Sequence, residues 1–282
     1  MDFSALNNKS NFHARSNSLP SRPHPLIPQI DELLCRLKSY EAASSSSSSI
    51  TEKLNGLRDM YELVHSFLQL PSTRNSLAQN CNNNQLLNGS LKLLDVCGLA
   101  KDALLQAKDD TQQLQSVFRR RRGDDAGFAN EAKAYLATRK KANKLINKFL
   151  RDLKISKCGF ADVEATISML RDVEGVTFTV LLSVLSYITA LISEPKSISW
   201  SLFSKLMHSK RVTCQGQASA TNEFDRVNAI LCSLIGSKTE TENAQNELQK
   251  LESSIEDIEG GVECLIRVLI KTRVSILNII SH

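Results

Sequence analysis

A chain of 282 residues that is 41% hydrophobic and 23% charged is long enough to bury its own core without a disulfide or metal staple. Its formal net charge of +5 is too weak by itself to point to nucleic acid. Seven cysteines, with no CxxC pair, predict reduced thiols in an intracellular protein, cytoplasmic by default, and MDFSALNNKS lacks the apolar run of a secretory signal. The Ser-rich, acid-poor head shares its composition with organelle transit peptides, but Asp2 and the missing basic amphipathic helix argue against one.

Proline and glycine are scarce, and the prolines crowd at positions 20, 23, 25 and 28. Residues 1–27 therefore read as a disordered arm, and helices should dominate the rest. A first helix is expected over 28–43, with Pro28 in its first turn and Ile30, Leu33, Leu34 and Leu37 as its stripe. The polyserine run 44–49 reads as a linker. The next helix, 51–70, carries Leu54, Leu57, Tyr61, Val64 and Leu68, and Pro71 should stop it. NCNNN, 80–84, is a turn-rich break. Residues 85–122 lack proline and place Leu93, Cys97, Ala100, Leu104, Ala107, Thr111, Leu114 and Phe118 at alternating steps of four and three. That is a heptad seam, which implies packing against another long helix.

Gly123 to Gly127 should end that helix. A basic amphipathic helix follows over 129–154, with Tyr135, Leu136, Leu145, Ile146, Phe149, Leu150 and Leu153 as its apolar side. The segment 162–192 closes with VTFTVLLSVLSYITALI (176–192), 17 residues without a charge. That run reads either as a helix surrounded by neighbours or as a barely long enough membrane span. Residues 194–221 form an irregular connection containing WSLFSKLM (200–207), and 222–235 is a helix. From Ala244 through Leu248, Leu251, Ile255, Ile258, Val262, Leu265, Leu269, Thr272, Ile276 and Ile279 a second heptad seam runs to the end. Gly260-Gly261 within it suggests a kink or a hairpin corner. The expectation is an all-α protein with residues 28–282 as one domain: an elongated antiparallel helical bundle with two long heptad-bearing hairpins.

Charge is uneven along the chain. Between 119 and 157 there are thirteen Lys and Arg against four acids, and between 223 and 259 nine acids against three bases. The two regions could face each other or face different partners. No catalytic, metal-ligand or phosphate-loop pattern occurs, and no cofactor is implied. His65 reads as a boundary side chain, and Asp109-Asp110 and Asp124-Asp125 read as solvated or capping acids. An enzyme without a recognisable motif is the remaining catalytic reading.

Two clusters remain. Arg119, Arg120, Arg121 and Arg122, with Arg139, Lys140 and Lys141 beyond, form a candidate basic patch for phosphoinositide headgroups, nucleic acid or an import receptor; its alternative role is to complement a helix C-terminus. No aromatic residues interleave to stack bases, so no nucleic acid is expected. In the arm, RSNSLP places Arg15 three residues before Ser18 and Pro20 two after, with Ser16 between. This is the pattern a basophilic kinase reads and a 14-3-3-type protein binds once Ser18 is phosphorylated.

The blocks HARSNSLPSRPHPL (13–26), GSLKLLDVCGLAKDAL (89–104), LQSVFRRRR (114–122), AYLATRKK (134–141) and GVECLIRVLIKTRVSILNIISH (261–282) resemble the plant BYPASS-like family. The resemblance implies a land-plant protein with a single helical domain and a developmental role, restraining a mobile root-derived signal that arrests shoot growth. It carries over no catalytic residue, and it allows cytosol, membrane or plastid. The resulting expectation is a non-enzymatic regulatory or adaptor protein controlled at Ser18. The alternatives are a protein held at a membrane by 176–192 or by 119–122, and an enzyme without a recognisable motif acting on a small precursor of that mobile signal.

Overall fold

The computed structural model describes residues 24–39, 46–79, 83–120, 125–152, 165–189, 222–236 and 241–281. Among these residues the chain is helical: α1 (Leu26–Ser39), α2 (Ser47–Leu68), α3 (Pro71–Gln79), α4 (Asn83–Arg120), α5 (Asp125–Asp152), α6 (Ala165–Ile188), α7 (Glu223–Gly236) and α8 (Thr241–Ile280). Residues 1–23 of the expected arm and the connection 194–221 lie outside the described residues, whereas Leu26 and Ile27, expected in the arm, already belong to the first turn of α1.

Several boundaries depart from expectation for local reasons. Half of the polyserine run is not linker: Ser47–Ser49 form the first turn of α2, because the Ser46 side chain caps it and accepts a hydrogen bond from the Ser49 amide at 3.4 Å. Serine favours this position because its short side chain satisfies an amide with no partner inside the helix. The α2 helix ends at Leu68, just ahead of Pro71 as expected, and Pro71 itself starts α3, where its missing N–H costs no intrahelical bond. Asn222 caps α7 through Oδ1, which accepts from the Asp225 amide at 2.9 Å. The Gly260-Gly261 pair makes no corner, and α8 runs unbroken for 40 residues, about 60 Å at the helical rise.

Every position of both heptad seams is buried, and the two seams belong to one bundle core rather than to two separate hairpins. The α4–α8 pairing is antiparallel, as its cross-links show. Lys101 meets Glu263 at 2.8 Å, Lys108 meets Glu256 at 3.1 Å, and Gln112 donates to Glu252 at 2.7 Å. Such exposed pairs contribute little stability each, but they mark the register. The α2 helix runs parallel to α8, with Ser47 beside Ser254 and Leu54 against Gly261. It runs antiparallel to α6, where the Tyr61 hydroxyl lies 3.0 Å from Thr177 Oγ1. Outside this four-helix core, α1 packs on α2 and α6, α3 on α6 and α8, and α5 and α7 on α4 and α8 and on each other.

The uncharged run is the inner helix that one of the two expectations described. Val176, Val180, Leu181, Val184, Leu185, Tyr187 and Ile188 are buried against α1, α2, α3 and α4. Its hydroxyls fold back on their own helix: Thr177, Thr179 and Ser183 donate to the carbonyls of Val173, Gly175 and Thr179. Among the described residues no helix is long and apolar enough to cross a membrane.

Candidate functional site

Arg15, Ser16, Ser18 and Pro20 lie outside the described residues, as do Arg121 and Arg122. The remaining members of the candidate basic patch do not form one surface. Arg119 and Arg120 are exposed on the last turn of α4. There Arg119 donates to Gln115 Oε1 at 3.2 Å and Arg120 donates to the Ser116 carbonyl at 3.3 Å. The second bond is what a cation closing a helix C-terminus makes. Lys140 and Lys141 are exposed on α5, but Arg139 between them is 2% exposed. Arg139 is thus no part of a basic surface, because helical periodicity turns it 100° away from Lys140 and into the bundle.

Arg139 instead organises the end of the molecule where α5, α6 and α7 meet. Its guanidinium donates to the Ile188 carbonyl at the C-terminus of α6 and lies 4.0 Å from the centroid of the Phe224 ring. Phe224 stacks edge-on against Tyr187, centroids 5.3 Å apart. Asn222 completes the junction by donating to the Tyr187 carbonyl at 3.2 Å. The cation therefore meets a helix dipole and a π face instead of a bonded carboxylate. Burial holds the Arg139 pKa below its usual value, while Tyr135, Asp110, Tyr187 and Asp225 oppose the shift.

Beside this junction a cavity of about 50 Å³ opens between α4 and α5, lined by Asp110, Gln113, Leu114, Glu131, Ala134, Tyr135 and Thr138. Asp110 was expected to be solvated; it turns inward. Burial raises its carboxyl pKa, with Gln106 and Arg139 acting the other way. The buried Oδ2 of Asp110 and the Tyr135 hydroxyl each lack a hydrogen-bond partner among the described residues. Two polar groups on a space this small suit one or two bridging waters.

A second cavity, about 20 Å³, lies in the core between Tyr61, Leu86, Ser90, Leu93, Val173, Glu174, Leu269 and Ile276, among others. Glu174 borders it. Burial pushes its carboxyl up to about 8, with Arg171 partly opposing. Gly89 makes the room, since a Cβ there would sit 2.7 Å from Glu174 Cδ. Nothing in the local sequence marks Glu174; only its place on the inward side of α6 gives it this chemistry. Among the described residues no group of His, Cys, Asp and Glu could hold a metal ion.

The acids of 223–259 and the bases of 119–157 turn to different neighbours. Glu247 pairs with Arg226 at 3.0 Å and with Lys250 at 2.6 Å, and Glu256 and Glu259 pair with Lys108. The surface cations of α5 share in none of this.

These features define an all-α bundle protein in which the buried Arg139 joins the ends of helices. The family profile described as Protein BPS1 matches residues 53–279, and the chain belongs to that family. Membership carries the role in plant development implied by the blocks at 89–104, 114–122 and 134–141, all inside the matched span; the arm block at 13–26 lies outside it. No curated protein and no solved structure matches the chain.

Proposed function

We propose that this protein is a non-enzymatic regulatory adaptor in plant growth, with a helical body that presents surfaces and an arm that receives control. The observation that carries this reading is the separation of the two parts. The family match covers the body from residue 53, while RSNSLP lies well before it in the sequence. Phosphorylation of Ser18 adds a charge of about −1.5 to −2. With Arg15 before it and Pro20 after it, that phosphoserine suits the Arg cluster and exit path of a 14-3-3-type groove.

The test is affinity purification of the full chain from plant tissue with and without phosphatase, beside Ser18→Ala. A phosphatase-sensitive partner set that Ser18→Ala loses, with the helical circular dichroism signal unchanged, is expected. An identical partner set in all three samples would refute the control mechanism.

A further inference from the structure

The outward face of α5 carries Lys133, Lys140, Lys141, Lys144, Lys148 and Arg151, all exposed. At 100° per residue these six fall within an arc of about 100°, opposite the buried Ala132, Tyr135, Arg139 and Ile146. From first to last they extend about 27 Å along the helix. None of them makes an ion pair among the described residues; the salt bridges there involve α2, α4, α7 and α8. A row of like charges on one helix is self-repelling, so it costs the free protein some stability and is relieved by an anionic partner. Leu145, 65% exposed, stands at the margin of this row. It was expected on the apolar side of α5, and the turn of the helix places it outside the packed face.

We propose that this face docks onto an anionic lipid surface. A protein partner would need a desolvated apolar centre with large anchoring side chains, and Leu145 is the only large exposed hydrophobic described on α5. A bilayer offers a broad plane of phosphates that engages a straight row of cations together, and Leu145 can enter the headgroup region. Among the described residues of α5 no exposed aromatic side chain joins the row to stack a base. The attachment is peripheral and electrostatic, distinct from a spanning helix and from the run at 119–122. It does not rest on Ser18.

The test is sedimentation of the full unphosphorylated chain with phosphatidylcholine vesicles, with and without 30% phosphatidylserine, alongside polyglutamate and a DNA duplex as competing anions. Binding only to the anionic vesicles, released between about 0.1 and 0.5 M salt as screening sets in, is expected. Lys140→Glu, Lys144→Glu and Lys148→Glu together should weaken it at least tenfold, and the corresponding alanines several-fold. Arg119→Glu with Arg120→Glu should change it less than threefold. All substituted positions are exposed, and retained helical dichroism checks their folding. Absent vesicle binding, equal binding to neutral vesicles, indifference to the triple reversal, or preference for polyglutamate or DNA would each overturn the proposal.

Discussion

Glu174 follows Val173 on α6, and in a solvated helix it would titrate as an ordinary carboxylate. Inside the notch left by Gly89 its folded-state pKa is raised from 4.5 to about 8. The folded chain therefore keeps a proton that the unfolded chain releases. Stability falls as pH rises from about 4.5 towards 8 and levels off above it. Glu174→Gln keeps the shape and removes the ionisation. The variant should melt several degrees above the parent at pH 8, an effect of about 3 kcal/mol, and within a degree or two of it at pH 5. Thermal melts followed by circular dichroism across this range check the claim; a gap independent of pH would show that packing, not charge, sets it.

At the scale of one helix, Gly260 and Gly261 look alike in sequence and differ in their surroundings. A Cβ at Gly260 would meet nothing within 4 Å, whereas at Gly261 it would sit 2.8 Å from Leu54 Cδ1 and 3.2 Å from Leu54 Cβ. Gly260→Ala should stabilise the protein by about 1 kcal/mol, the ordinary helix preference for alanine. Gly261→Ala should destabilise it by about 1 kcal/mol net, because crowding against α2 exceeds that preference. Urea titrations of the two variants give the comparison directly. The expected corner at this pair failed because glycine marks a turn only where the backbone needs it; here the second glycine marks a close helix contact.

Across the whole molecule, Arg139 ties three helices that are distant in sequence. Removing it leaves the Ile188 carbonyl without its side-chain donor and Phe224 without its cation. Arg139→Ala should cost about 3 kcal/mol. Arg139→Lys should recover only part of that, since an ammonium cannot lay a planar face on the ring. Denaturant midpoints of the purified variants measure both; a lysine variant as stable as the parent would refute the stacking role.

The all-helical class and both heptad seams were legible in the chain itself, from Leu93 to Phe118 and from Ala244 to Ile279, because a spacing of three and four needs only the helix to become a face. The cap at Ser46 and the start of α3 at Pro71 were within reach of the same local chemistry, but a polar run and a proline each serve two roles, and packing chooses between them. Which helices pair, and in which direction, was not legible: α2 with α8 and α4 with α8 are contacts between distant segments. The same holds for Arg139 among the lysines and for Glu174. Composition places all of them with the surface charges, and their burial is decided by helices that arrive from elsewhere. The sequence by itself determined the helices and their apolar stripes, since those depend on neighbours within a few residues. Only the tertiary structure decided which charges face water, because desolvation is a property of the assembled bundle.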